Sequence, residues 1–325
     1  MKSFYMLLQR EYWENRGSFA FTPLGIGAFF VGLLIFALFG SESFFTDANR
    51  EMGEASGIRI NGVNISGFDF FAGMTKEFAS VPLEQRIEMW TIAFHGLSAL
   101  FMVVLVFVSV FYLLGALYDD RRDRSILFWK SLPVSDLMTV TSKVAVVFLV
   151  LPILFAAGIM LTYLAIMFIG TIVALVSGGS VWASIWEPAP FISTPLKILY
   201  AHIIHTMWAA PIIGWLLFVS SWTKRKPILI ATIPVGAISF LEFYYNRTAH
   251  FATAVSERTL GWFIPMNTDT GVHYGSGSSM EDTWWKVYDE ASSLLTTTEM
   301  WVGLAIGAVF FAGSVYVRRY RDESL

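Results

Sequence analysis

The chain has 325 residues, of which 55% are apolar, 16% aromatic and only 14% charged. A soluble domain carries roughly one charged residue in four, so this composition excludes an ordinary water-soluble globule and points to a protein that spans a lipid bilayer. The net charge is −3, no nucleic-acid partner is expected, and the absence of cysteine removes disulfides and thiolate metal sites.

The N-terminal stretch MKSFYMLLQREYWENRGSF is amphipathic. Phe4, Leu7, Leu8 and the pair Glu11–Tyr12 fall at helical spacing, with Lys2, Gln9, Arg10 and Glu14 between them. Residues 1–20 are too polar to span and are expected to lie along the inner interface, apolar side into lipid. A spanning helix needs roughly 20 apolar residues, and runs without charge mark six of them: 17–41, 89–118, 144–186, 198–223, 227–241 continuing past Glu242 to Asn246, and 300–317. The first run follows Glu11 and Glu14 and precedes no small-x-small cleavage site, so it reads as a retained span. The 43-residue run 144–186 has room for two helices, but its tail LVSGGSVWASIWEPAP reads as interfacial. One helix is expected there.

The resulting fold class is an all-α integral membrane protein with six transmembrane helices, at 22–40, 90–117, 139–176, 198–222, 228–246 and 300–317. An N-terminal interfacial helix, a short cytoplasmic helix within 119–136 and two sizeable outer segments, 41–88 and 247–298, complete it, with a shorter outer segment at 177–197. Segment 41–88 is polar, acidic and long enough for a small cap. Segment 247–298 opens with RTAHFATAVSERTLGWFIPMN, whose short apolar bursts suit helices dipping into the outer leaflet, and continues through the loop GVHYGSGSSMEDTWW. With both termini inside, the inner segments hold 14 Lys and Arg in 60 positions against 8 in 113 outside, the asymmetry expected of cytoplasmic loops. The acids divide the other way.

The stretch DDRRDRSILFWKSLPVSD, residues 119–136, packs eight charges into eighteen positions between two uncharged runs. From Asp123 a short helix is expected with Ile126, Trp129 and Leu132 on one side, ended by Pro133, and Ser135 or Asp136 then caps the next helix. Its apolar face belongs either on lipid or in a groove of a partner protein, where aromatic and arginine residues commonly anchor binding.

Residues 121–143, RRDRSILFWKSLPVSDLMTVTSK, resemble the segment that follows the second span in permease subunits of ABC-2 type transporters: a charged patch, a short helix, a Pro-Val-Ser turn at Pro133, Val134 and Ser135, and a lysine at Lys143. The resemblance implies a non-enzymatic transport subunit, mostly for export, in the bacterial cytoplasmic membrane. It also implies an ATPase-coupling site carried by Asp119, Arg121, Arg122, Asp123, Arg124, Ile126, Phe128, Trp129, Lys130 and Pro133. The partners it implies are two copies of a separate ABC ATPase subunit, a second permease chain, identical or homologous, and membrane lipids. The chain contains no Gly-Lys pair and hence no P-loop; GSGSS at 275–279 lacks the lysine and the spacing. ATP and magnesium would then sit on the partner, with no cofactor or metal on this chain.

Glu242 is the one acidic residue inside an expected span. With His95, His202 and His205, near the outer ends of spans two and four, it forms a candidate translocation path. The alternative for all four is helix–helix hydrogen bonding or simple exposure to headgroup water. Two further readings draw on the same residues: a membrane metal or haem redox protein or enzyme using the outer-leaflet histidines, and a proton-driven secondary transporter working through Glu242. Gly25, Gly27 and Gly32 in the first span and Gly303 and Gly307 in the last permit close helix approach.

Overall fold

A backbone inside a bilayer can satisfy its polar groups only within itself, and the apolar runs accordingly become helices. The computed structural model describes residues 2–40, 58–60, 63–65, 67–123, 134–260 and 291–320. Helix α1 is Lys2–Glu14, followed by α2 (Gly17–Phe39). Two three-residue strands, β1 (Ile58–Ile60) and β2 (Val63–Ile65), pair antiparallel, Ile58 opposite Ile65, and precede α3 (Gly67–Phe78). Then come α4 (Leu83–Arg122), α5 (Asp136–Ser177), α6 (Ser193–Trp208), α7 (Ala210–Trp222), α8 (Pro227–Asn246), α9 (His250–Leu260) and α10 (Thr298–Tyr320). Five of these, α2, α4, α5, α8 and α10, are each long and apolar enough to cross a membrane, and α6 with α7 passes the same test as one bent pair. The described residues thus hold five to six candidate spans of a multi-pass membrane protein. Large outward-facing side chains such as Phe29, Phe107, Phe168 and Phe240 give them the apolar exterior that lipid requires.

The helices group into two units. The first comprises residues 1–19, 102–155 and 197–325, the second residues 20–101 and 156–196. In the first, α7 and α10 make the closest approach. A Cβ on Gly214 would stand 2.7 Å from the Gly307 carbonyl oxygen, and one on Gly307 would stand 2.7 Å from that of Ala210. Dispersion between backbones replaces the hydrophobic effect as the attraction between helices in lipid, and it needs such small residues. Trp215, Phe218 and Phe310 close the same seam.

The run 198–222 was expected as a single span, whereas α6 and α7 are bent by 63°. Pro211, near the start of α7, has no N–H to offer the helix, and the N–H of Ile212 turns to the Ala209 carbonyl at 2.9 Å. The Trp208 carbonyl receives a replacement donor, the Arg258 Nη1 of α9, at 2.7 Å. Arg258 also lies 4.4 Å from the centre of the Trp208 ring and donates to the Glu299 carbonyl at 2.9 Å. Helix α4 breaks at Leu117 in the same manner. The Oγ of Ser220 accepts from the N–H groups of Leu117 and Tyr118, both at 3.0 Å, and donates to the Leu114 carbonyl at 2.9 Å.

The second unit holds α2, α3, the first half of α4 and the second half of α5. Pro23 of α2 packs where a Cβ on Gly158 would come within 2.7 Å, and Gly27 faces Thr162 just as tightly, whereas Gly25 and Gly32 meet nothing within 4 Å. Tyr163 is fully buried, stacks on Phe94 at 3.9 Å between centroids, and donates from its hydroxyl to the Phe94 carbonyl. Leu38, Ala72 and Val173 bring α2, α3 and α5 together. Arg86, also buried, donates to the carbonyls of Val81 and Ala183 and to Glu187.

Gly307→Val is expected to lose about 1–3 kcal/mol of stability through overpacking, read as a lower thermal midpoint of the purified protein in detergent, while Gly25→Val leaves the midpoint in place. Arg258→Met strands the Trp208 carbonyl and is expected to cost about 1–3 kcal/mol in the same assay. A midpoint unchanged in Arg258→Met would show that the break between α6 and α7 needs no external donor.

Candidate functional site: a buried charge cluster flanking the 119–136 segment

Two of the four elements in this site begin or end within residues 119–136. Asp120 is in the last turn of α4 and Asp136 is in the first turn of α5, with Lys143 two turns further on. Glu11 sits on the face of α1 that also buries Leu7, and Arg318 is in the last turn of α10. All belong to the first unit. The Lys143 Nζ lies 2.7 Å from Glu11 Oε1 and 3.8 Å from Asp120 Oδ2. Arg318 bridges Asp120 at 3.3 Å through Nη1 and Asp136 at 3.2 Å through Nε. Arg10 reaches Asp120 at 3.1 Å and Glu14 at 2.7 Å, and Tyr112 donates its hydroxyl to Glu11 at 2.8 Å.

Three inward acids, Glu11, Asp120 and Asp136, meet three bases, Arg10, Lys143 and Arg318, and the half-exposed Glu14 on Arg10 adds a fourth carboxylate, which leaves one formal negative charge. The side chains of Glu11, Lys143, Arg318 and Asp120 are only 1, 3, 3 and 6% exposed. Burial alone would lower the pKa of Arg10, but its hydrogen bond to Glu14 and the charges of Asp120 and Glu11 carry it above the ordinary arginine value. A cavity of about 770 Å³ adjoins the cluster, lined by Glu11, Asp119, Asp120, Arg122 and Lys143 among others.

The residues expected to couple to a partner divide into three groups. Asp119, Arg122 and Asp123 face outward, their side chains 51, 56 and 60% exposed, and pair with one another at 2.9 Å. The Arg122 hydrogen bond holds the Asp123 carboxyl below its usual pKa. Arg121 turns inward instead and donates to the carbonyls of Ser220 and Thr223 at 2.6 and 2.8 Å, the carbonyls left open where α7 ends. Arg124, Ile126, Phe128, Trp129, Lys130 and Pro133, and with them the expected short helix, lie outside the described residues. On the far side, the Ser135 Oγ accepts from the Met138 N–H at 3.1 Å and caps α5.

The second candidate set divides between the two units. His95 belongs to the second unit, and its Nδ1 pairs with the Thr91 carbonyl one turn back at 2.7 Å. His202 and His205 are buried side by side on α6 in the first unit, and Thr206 Oγ1 lies 3.2 Å from His202 Nε2. Glu242, on α8, accepts from the Thr248 hydroxyl at 3.0 Å and from the N–H groups of His250 and Phe251, both at 2.8 Å. It caps the start of α9, after Arg247 turns the chain through a left-handed conformation at φ 54°. Among the described residues no three His, Asp or Glu side chains converge as metal ligands would.

Glu11 and Arg318 were missed as site residues from sequence. The signal for Glu11 was present, since an acid four residues after Leu7 shares the buried stripe of α1 and must find a cation there. Arg318 carried no such signal and read as a charge flanking the last span.

Lys143→Met leaves Glu11 buried without its cation and is expected to cost about 3–5 kcal/mol, measured by thermal unfolding in detergent. Adding Glu11→Gln is expected to restore part of that loss, because the two residues are directly coupled. Strictly additive losses would mean that the pair is not an energetic unit.

Scans of the chain against family models, curated proteins and solved structures return no match, so the function is argued from the residues and their geometry.

Proposed function

We propose that the chain is the membrane-spanning permease subunit of an ATP-driven ABC-2 type exporter, coupled to a separate ATPase subunit through the cytoplasmic segment 119–136. The observation that carries this reading is the division of labour around that segment. Asp120, Asp136 and Lys143, on its two flanks, are locked by buried ion pairs to α1 and α10. Asp119, Arg122 and Asp123 remain at the surface. Part of the segment is therefore open to a partner, while its ends are attached to helices distant in sequence. Force applied there would pass through Asp120 and Lys143 into three helical elements at once.

The resemblance of residues 121–143 to the family's coupling segment supports the same reading, as does the excess of basic residues in the expected inner loops. The working unit would hold two permease chains and two ATPases in the bacterial cytoplasmic membrane, with both termini inside and ATP and magnesium on the partner. Nucleotide-driven closure of the ATPases would shift the spans between two arrangements. A proton-driven transporter working through Glu242 has less support, because that carboxylate is already engaged by three donors as a helix cap.

The test is affinity purification from the native membrane, wild type beside the double variant Arg122→Glu/Trp129→Ala. A P-loop ATPase is expected to co-purify with the wild type and to be lost from the variant, whose elution and thermal profiles should match the wild type. Absence of any ATPase from both would remove the energy source on which the proposal depends.

A further inference from the structure

Proline cannot donate to the carbonyl four residues before it, and its ring crowds that carbonyl. Among the described residues, three turns relieve this conflict in the same way. A π turn of five residues is followed by one residue and then by proline: Gly17–Phe21 before Pro23 in α2, Val146–Val150 before Pro152 in α5, and Trp182–Trp186 before Pro188. The widened bond reaches five residues back. Leu151 donates its N–H to the Val146 carbonyl, and Glu187 donates to that of Trp182.

The three turns differ in what becomes of the carbonyls that proline leaves. At Pro188 they are taken by side chains of α4: Trp90 Nε1 donates to the Ser184 carbonyl at 3.0 Å, and Arg86 Nη1 donates to that of Ala183. Bending there would cost both bonds. The corresponding carbonyls before Pro23 and Pro152 belong to Phe19 and Phe148, and no side chain among the described residues donates to either. These two turns can open and close without losing a hydrogen bond to another helix.

Both open turns adjoin the buried charge cluster. Gly17 follows Glu11 by six residues and Val146 follows Lys143 by three, and these are the two partners of the 2.7 Å ion pair. Phe19, fully buried within its turn, packs edge-on against Tyr112 at 5.3 Å between ring centres, and Tyr112 donates to Glu11.

We infer that the π turns before Pro23 and Pro152 are paired hinges, on which α1 and the first turns of α5, fastened to each other by Glu11 and Lys143, swing as one body. The inference does not rest on the exporter reading, because hinges built into the chain act with or without a partner. Under that reading, they are the points at which a pull on segment 119–136 would bend α2 and α5.

The chain has no cysteine, so nitroxide pairs can be introduced without background labelling and their distances measured by double electron–electron resonance in phosphatidylcholine nanodiscs. Leu137→Cys with Ile153→Cys, both sites 54% exposed on α5, spans the turn before Pro152 over roughly 24 Å at 1.5 Å per residue. Leu161→Cys with Leu175→Cys, at sites 55 and 66% exposed, covers the helix beyond it over roughly 21 Å and is the unhinged reference. The distribution across the turn is expected to be about twice as broad as the reference, as a hinge motion requires. Pro152→Ala is expected to narrow it to the reference width. Pro23→Ala is expected to narrow it as well, because Gly27 packs α2 on α5 at Thr162, and this effect is expected to vanish when Glu11→Gln and Lys143→Met together remove the ion pair. A distribution no broader than the reference, or one that Pro152→Ala leaves unchanged in a protein with wild-type thermal behaviour, overturns the hinge. No effect of Pro23→Ala, or an effect that survives loss of the ion pair, overturns the movement as one body.

Discussion

Burying the Lys143 ammonium between Glu11 and Asp120 sets the terms for much of the first unit. Removing an ion from water costs several kcal/mol even after relaxation, so this lysine is tolerable only when both acids are in place. Glu11 comes from the first helix and Asp120 from the end of α4, and Asp120 in turn requires Arg318 from the last helix. The cluster therefore checks that the N-terminus, the middle and the C-terminal helix of the chain have assembled correctly. A wrong arrangement leaves a buried charge unpaired, which is a far larger penalty than any single apolar contact.

The same logic explains the other polar residues near the spans. Helix α4 is broken at Leu117 and the α6–α7 pair at Ala209, and each break exposes backbone groups that lipid cannot satisfy. Ser220 and Arg258 supply the missing partners from other helices. Arg121 closes the open carbonyls at the end of α7, and Glu242 caps α9. Glu242, a candidate for a translocation path in the one-dimensional reading, here accepts from the backbone at the start of its downstream helix. Breaks of this kind are also the natural places for a membrane helix bundle to bend, because a side-chain partner can be exchanged more readily than a helical ladder.

At residues 119–123 the charges that are adjacent in sequence separate in space. Asp120 and Arg121 serve the interior, while Asp119, Arg122 and Asp123 stay outside. One short helical turn thus joins an anchored layer to an accessible one. Under the proposed coupling to an ATPase, that arrangement would let a partner grip the segment without detaching it from the bundle.

Much of the architecture was legible from charge-free runs alone, because a bilayer imposes a length on every helix and penalises charge within it. The stretches 228–246 and 300–317 are contained in α8 and α10, and the glycines of the last span predicted close packing that Gly307 makes against Ala210. Periodicity placed Glu11 on the apolar side of α1, which was expected to face lipid, whereas Glu11 is buried against Lys143. Sequence spacing had no means of revealing that Arg318 belongs with Asp120, 198 residues away, that Pro211 bends a span whose freed carbonyl Arg258 takes, or that Glu242 serves its own downstream helix. The apolar runs specify helices because each helix satisfies its own backbone, a local property. Which charges share a site depends on how distant helices pack, and only the tertiary structure decides it.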